Sequence, residues 1–224
     1  MIKEKKQGSI IIISGTTCAG KGTVIKELLK RNDNLKLSIS YTSRPIRPGD
    51  KEGSTYYFVS KETFLEKIKN GDFLEYALVH GNYYGTPKGE IIEMLDKGYD
   101  VILEIDVEGA KKIKEMFPST ILIFIMAPSM EVVKERIKSR NSESTEQILD
   151  RFKTAYQEIN EVYNYNYVVV NDVLEDAVLK VQSILISEKC RVDRIEEIKV
   201  SNKEEIIHEF LMEKEFENND ITIN

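Results

Sequence analysis

Near the N-terminus a short apolar run, Ile10–Ile13, leads into Gly15-Thr16-Thr17-Cys18-Ala19-Gly20-Lys21-Gly22-Thr23. The spacing is G-x-x-x-x-G-K, with a threonine two places after the lysine. Glycines let successive backbone N–H groups turn inward, and a helix starting at the end of the loop adds its positive N-terminus. The pattern therefore suits a phosphate. Lys21 would bring a point charge to the β- and γ-phosphates of a nucleotide. The hydroxyl of Thr23, or failing that of Thr17, would reach Mg²⁺. The strict rule places Ser or Thr directly after the lysine, where Gly22 stands here. Further along, Val101-Ile102-Leu103-Glu104-Ile105-Asp106 is an apolar run ending in carboxylates. Enzymes with such a loop hold their metal at the end of a strand of this kind, directly or through water. Asp106 has a simpler alternative, as the cap of the next helix.

These residues need elements to position them. Ser9–Ser14, Asp100–Asp106, Thr120–Met126 and Tyr167–Asn171 are short runs rich in Ile and Val, as in a parallel sheet covered on both faces. Amphipathic segments follow each: Lys21–Arg31, Val107–Met116, Glu131–Ser139 with Ser129 as N-cap, and Leu174–Ser187. This alternation predicts an α/β domain with a doubly wound parallel sheet. Between Leu37 and Gly85 the rhythm breaks. Leu37–Tyr41, Thr55–Val59 and Phe73–Val79 read as strands with one helix, about 61–69, among them, so an inserted β-rich lobe is expected. Thr86-Pro87 reads as an N-cap and first helical residue, opening a helix to about Lys97. A second, helical insertion is expected over 140–160, where Ser144-Thr145-Glu146-Gln147 has the capping-box pattern. The predicted division is a core of 1–36, 98–135 and 161–190, a lobe of 37–97, a lid of 136–160, and an acidic, helical tail of 191–224.

Composition narrows the function. The chain has 224 residues, 41% hydrophobic and 31% charged, with formal net charge −6. The length is ample for a core, and an acidic balance argues against nucleic acid or an anionic membrane as partner. The charge is unevenly spread. Lys203–Asp220 holds seven acids and two lysines, and so −5 of the total, leaving the rest of the chain at −1. Two cysteines, Cys18 and Cys190, make neither a disulfide framework nor a zinc site. No apolar run is long enough for a signal or membrane segment, and a cytoplasmic protein is expected. The sequence leaves a homo-oligomer open.

Longer motifs complete the reading. Ser40-Tyr41-Thr42-Ser43-Arg44-Pro45-Ile46-Arg47-Pro48-Gly49-Asp50, then Gly53 and Tyr56-Tyr57-Phe58, closely resembles guanylate kinase. So do Phe73-Leu74-Glu75-Tyr76, Gly81-Asn82-Tyr83-Tyr84-Gly85-Thr86 and Val170-Asn171-Asp172. The resemblance covers about residues 8 to 190. It implies transfer of the γ-phosphoryl group of ATP to GMP, giving ADP and GDP, with Mg²⁺. By the same resemblance Arg44, Arg47, Tyr56 and Tyr84 hold the GMP phosphate, and two guanidinium forks with two phenol donors suit a dianion. Glu75 matches the residue that reads guanine. A carboxylate pairs with the two donors of guanine's Watson–Crick edge, whereas adenine leaves it partly unpaired. Ser40, Thr86 and Asp106 match other base-contacting positions. Arg136, Arg140 and Arg151 match arginines that close over ATP, and Asn171 a position near adenine. Lys21, Arg44, Arg136, Arg140 and Arg151 are the expected catalytic residues, with metal at Thr23 and Glu104 through water.

The sequence departs from the family pattern in three places. Cys18 stands where the loop usually has glycine, Glu104 stands where Asp is usual, and the tail past Cys190 lies beyond the match. A thiol beside Lys21 at a helix N-terminus is expected to react readily and to be shielded by ATP. His80 and His208 are expected to be structural or solvated. Two other functions fit parts of the pattern: a non-catalytic phosphopeptide-binding module of guanylate-kinase-like fold, and a kinase for another nucleoside monophosphate or a sugar phosphate. Retention of Lys21, Asp106 and the three lid arginines argues against the first, and Glu75 with Ser40 against the second.

Overall fold

A computed structural model describes residues 2–4, 8–79, 81–138 and 145–198, with the backbone alone at 2–4, 145–148, 150, 151 and 195–198. In chain order the strands are β1 (Ile2–Glu4), β2 (Ile10–Gly15), β3 (Leu35–Leu37), β4 (Tyr41–Thr42), β5 (Tyr57–Phe58), β6 (Phe73–Val79), β7 (Asn82–Pro87), β8 (Asp100–Leu103), β9 (Ile121–Met126), β10 (Tyr167–Val170) and β11 (Ile195–Ile198). The helices are α1 (Lys21–Arg31), α2 (Lys61–Asn70), α3 (Lys88–Asp96), α4 (Val107–Met116), α5 (Met130–Lys138), α6 (Thr145–Asn160) and α7 (Leu174–Lys189). They fall into a large unit, Lys6–Leu185, and a small one drawn from both termini.

The large unit is built on a five-stranded sheet in the order β10-β9-β2-β8-β3, every pair parallel. Its isoleucines alternate between two cores. Ile11 and Ile13 pack with Val24, Ile25 and Leu28 of α1 and with Val178 and Val181 of α7. Ile10 and Ile12 pack with Ile91 and Leu95 of α3 and with Ile113 of α4. Each buried Ile or Leu contributes roughly 1.5–3 kcal/mol, so both layers of helices are firmly held. The C-terminal ends of β2, β8, β3 and β10 all open on one edge of the sheet, where a doubly wound fold binds its ligands.

The inserted lobe is a second sheet, β5-β4-β7-β6. It is closed by α2 through Phe64, which is fully buried and stacks on Phe73 at 4.6 Å and on Tyr83 at 5.3 Å. Gly85 makes that fit: a Cβ there would lie 2.9 Å from the Phe64 ring.

Several sequence expectations are corrected. The parallel sheet has a fifth strand, β3, whose residues Leu35–Leu37 pair with Asp100–Ile102. The run expected as one strand over Leu37–Tyr41 is split between the two sheets, with Ser38–Ser40 passing between them. The strand expected over Thr55–Val59 is only Tyr57–Phe58. Asn82–Pro87 is a strand, so Thr86 does not cap α3; Pro87 holds the cap position and Lys88 starts the helix. The tail is not helical from 191. Val192–Arg194 form one 3-10 turn and Ile195–Ile198 a strand antiparallel to Ile2–Glu4. That partner stands at the far end of the chain, so no local pattern shows it. The residues with helical spacing, 203–220, lie outside the described residues, as does His80.

Candidate active site

The loop after β2 is held open by its backbone. Gly15 has φ 146°, and a Cβ on it would lie 1.8 Å from the Ile125 carbonyl oxygen. Gly20, at φ 86°, takes the N-cap position of α1 with no side-chain capping bond, so no side chain competes for the first N–H groups of the helix. A Cβ on Gly20 would lie 2.6 Å from Asn171 Nδ2. That amide donates to the Ala19 carbonyl at 2.7 Å. Lys21 folds back over the loop, its Nζ donating to Gly15 O at 2.8 Å and Thr16 O at 3.2 Å. Cys18, at φ 62°, is the one described non-glycine residue in the left-handed region. Its half-buried side chain packs on a cluster of Ala127, Val133, Ile137 and Ala155. Arg136 on α5 donates to Asn171 O at 3.2 Å and more loosely to Cys18 O at 3.4 Å. From α6, Glu158 Oε2 accepts the Thr17 N–H at 2.8 Å.

The lobe offers side chains instead. Arg44 is buried, 7% exposed, and pairs with Asp50 at 2.9 Å. Its guanidinium lies 5.5 Å from the ring centres of Tyr56 and of Phe58. The Arg44 hydrogen bond holds the Asp50 carboxyl below its usual range. Tyr56 and Tyr84 meet edge to face at 5.7 Å. Burial raises the Tyr56 phenol above its ordinary pKa, so it stays a donor at neutral pH. Glu75, 8% exposed, accepts a short hydrogen bond from Thr86 Oγ1. Burial raises its carboxyl pKa, with Thr86 opposing and Asp106 adding to the rise. Asp106 both caps α4, accepting from Gly109 N–H at 2.8 Å, and faces this site. A Cβ on Gly109 would sit 3.2 Å from Glu75 Oε2 and 3.3 Å from Asp106 Oδ1, so that glycine lets the two carboxylates approach the same helix end.

One cavity of about 1030 Å³ joins the two halves. Gly15, Lys21 and Gly22 wall one end, Ser40, Tyr56, Glu75 and Tyr84 the other, with Glu104, Asp106 and Glu158 between them. The walls around Glu104 push its carboxyl above the usual range, and Lys21 opposes that rise. Glu104 Oε2 lies 3.9 Å from where a Gly22 Cβ would stand, and Thr23 is the next residue in the chain, exposed. Among the described residues no group of three or more His, Cys, Asp or Glu side chains could cage a metal. A hydroxyl and one carboxylate do fit Mg²⁺, which keeps several waters and takes its other ligands from substrate phosphates.

The structure thus brings together Gly15, Lys21 and Gly22 of the loop with Ser40, Tyr56, Glu75, Tyr84, Glu104 and Asp106 on one cavity; residues 16–20 and Thr23 do not line it, Arg44 packs on Tyr56, and Thr86 bonds to Glu75. Asn171 shapes the loop through Ala19. Arg47 is exposed, and its backbone N–H donates to Asp50 at 2.8 Å. Arg140 lies outside the described residues, and of Arg151 only the place on α6 is described. Two residues were missed by the sequence reading. Asp50 carried a signal, three places after Arg47 in the Arg-Pro-Gly-Asp run. Glu158 carried none, being one acid among several on an amphipathic helix. Among the described residues no helix is long and apolar enough to cross a membrane.

A glycine-rich loop at a parallel sheet's edge, sharing a cavity with an inserted lobe that carries a buried carboxylate, has the architecture of a nucleotide kinase of the phosphate-loop class. Comparison with known proteins narrows this. The family model described as guanylate kinase matches residues 7–188. The guanylate kinase of Clostridium tetani is 58% identical over 206 residues, covering 92% of this chain and 99% of that protein. That of Caldanaerobacter subterraneus subsp. tengcongensis is 50% identical over 203 residues, 91% of this chain and 98% of that one. The crystal structure of guanylate kinase from Anaplasma phagocytophilum superposes with a TM-score of 0.73 at 36% identity, covering 95% of this chain and all of that one. The chain belongs to the guanylate kinase family. It is an enzyme, a phosphotransferase that converts GMP to GDP with ATP as donor.

Proposed function

We propose that the cavity is where this transfer occurs, with ATP phosphates on the loop and GMP in the lobe. The observation that carries the reading is the single cavity with phosphate-loop backbone at one end and buried Glu75 at the other. Glu75 takes the N1–H and 2-amino donors of guanine, and Ser40, Thr86 and Asp106 complete the base site. Arg44, Arg47, Tyr56 and Tyr84 take the GMP phosphate. That phosphate needs no general base: its second pKa is about 6, so its oxygens are already deprotonated at neutral pH.

In the transfer, a GMP phosphate oxygen forms a bond to the γ-phosphorus as the bond to the β-γ bridging oxygen breaks, and ADP leaves with that oxygen. The transition state is loose, so positioning and positive charge carry most of the catalysis. Lys21, moving off the Gly15 and Thr16 carbonyls, together with Arg44, Arg136, Arg140 and Arg151, would supply that charge. Asn171 would border the adenine while it fixes the loop. Thr23 and, through water, Glu104 would hold Mg²⁺, which when bound neutralises charge on the phosphates. We assign 136–160 as a lid and 37–97 as a mobile lobe whose closure excludes water and limits ATP hydrolysis. These substrates place the proposed reaction in the cytoplasm, and size in solution decides whether the chain forms a homo-oligomer.

A coupled assay of ADP formation with GMP, AMP, CMP and UMP in parallel tests the assignment. GMP alone should accelerate turnover strongly; an equal response to AMP would refute the role given to Glu75.

A further inference from the structure

We infer that Glu158 is a positioning residue of the phosphate loop: its carboxylate accepts the Thr17 N–H and so ties the tip of the loop to α6. The inference rests on the assignment of Gly15–Thr23 to the ATP phosphates, and it adds a residue that touches no reacting atom.

The tip of the loop is where its backbone is least conventional. Cys18 stands at φ 62°, a conformation that costs an ordinary side chain about 1–2 kcal/mol. Ala19 N–H closes a turn on Thr16 O at 3.0 Å with Thr17 and Cys18 at its centre, and that bond does not use the Thr17 N–H. Its partner instead comes from a helix 141 residues away, at 2.8 Å. The same helix contributes Ala155, fully buried, and Phe152 to the cluster against which the Cys18 side chain packs. The tip is therefore held from α6 at two consecutive residues, once by a hydrogen bond and once by apolar contact. Neither the Lys21 ammonium nor Asn171 does this job, since both act on carbonyls at other places: Lys21 on Gly15 and Thr16, and Asn171 on Ala19.

A charged carboxylate near incoming phosphates would be a poor choice if its role were to bind them. Lys21 and Asp106 also face it, one favouring its charge and one opposing it, and burial opposes it most. What the geometry uses is the oxygen and its reach. The loop conformation that receives ATP then depends on where α6 stands, and α6 belongs to the segment proposed as lid.

Three substitutions at one position separate reach from charge. Glu158→Gln keeps an accepting oxygen at the same reach without the charge. Glu158→Asp keeps the charge one methylene short. Glu158→Ala keeps neither. Steady-state kinetics should show KM for ATP raised about tenfold in Glu158→Ala and Glu158→Asp, the size of one hydrogen bond to a charged group. KM for GMP should stay within about twofold, because a loss confined to one site leaves the other substrate's binding unchanged. Glu158→Gln should return KM for ATP to within about threefold of wild type by the same reasoning. Exchange of the Thr17 amide with solvent should quicken in Ala and Asp and not in Gln. A merely structural residue would lower the melting temperature without splitting the two KM values. The inference is overturned if Glu158→Gln is as impaired as Glu158→Ala, or if Glu158→Ala leaves KM for ATP unchanged while Lys21→Ala loses activity. Should Lys21→Ala also be fully active, the phosphate-loop assignment fails instead.

Discussion

The two anion sites proposed for this protein are built by opposite means. The phosphate loop recruits backbone: Gly15 and Gly20 take positive φ, and side chains from Lys21, Asn171, Arg136 and Glu158 act on main-chain groups to fix the turn. The lobe recruits side chains: Arg44, Tyr56 and Tyr84 stand ready on short strands and loops, with Asp50 holding the Arg44 guanidinium. A backbone site is rigid because it is cut from the sheet's edge and the two cores beneath it. A side-chain site can carry chemical specificity, because each group has its own donors and acceptors, but it has to be held in place by partners such as Asp50.

Lys21→Ala should produce the largest effect. Removing a preorganised cation from a transferring phosphate costs about 10²–10³ in kcat. Circular dichroism should be unchanged, since the side chain is half-buried and belongs to neither core of the large unit. A kcat within threefold of wild type would break the assignment of this end of the cavity. In the lobe, Arg44→Met should lower kcat/KM for GMP by at least about a hundredfold while KM for ATP holds, the scale of one buried, forked charge contact. It should also lower the melting temperature, because Asp50, 13% exposed, loses its cation.

Glu75→Gln comes next and links activity to pH. Burial holds the Glu75 carboxyl pKa above its unfolded value, so the folded state takes up a proton more readily than the unfolded chain. The stability tied to that proton is present below the ordinary carboxylate pKa and is lost as pH rises through the raised one. At neutral pH the wild-type protein therefore bears the cost of a buried charge. Glu75→Gln should melt higher than wild type at pH 7, with the gap narrowing as pH falls toward about 4.5, the ordinary carboxyl value. The same substitution turns one acceptor into a donor facing guanine's donors and should lower kcat/KM for GMP by roughly 10–100-fold. A variant no more stable than wild type at pH 7 would show that Thr86 already compensates the burial.

What could be read in the sequence follows the same division. The loop, β2, α1 and α4 came out with their bounds nearly unchanged, because glycine spacing and runs of isoleucine are local signals. The lobe residues Arg44, Glu75 and Tyr84 were placed by motif, since nothing in their own neighbourhood says that β6 and β7 put Thr86 beside Glu75. Thr86 was misread as a helix cap because Thr-Pro before a helix usually is one, and only the pairing of Glu75 with Thr86 across β6 and β7 shows its other partner. Glu158 and the strand pairing of β1 with β11 are contacts between distant segments, and no periodicity encodes them. Asp106 has the helix cap that the sequence allowed and also lines the cavity.

Two glycine-like positions in the loop give the smallest and most discriminating tests. At Gly20 an alanine would meet φ 86° and the Asn171 amide at 2.6 Å, so Gly20→Ala should destabilise by about 1–3 kcal/mol and raise KM for ATP. Cys18 stands in the same half of the conformational map but already bears a side chain, and that side chain is packed. Cys18→Gly would relieve roughly 1–2 kcal/mol of left-handed strain while losing an apolar contact of similar size. The melting temperature should therefore move by less than about 4 °C for a chain of this length, and in either direction. A larger fall would mean that the contact with α5 and α6 outweighs the strain and that the thiol is a structural member of the loop. If alkylation of the wild-type thiol then inactivates, with protection by ATP and resistance in Cys18→Ser, the same contact explains why: a bulky adduct cannot share the space between the loop tip and the two helices.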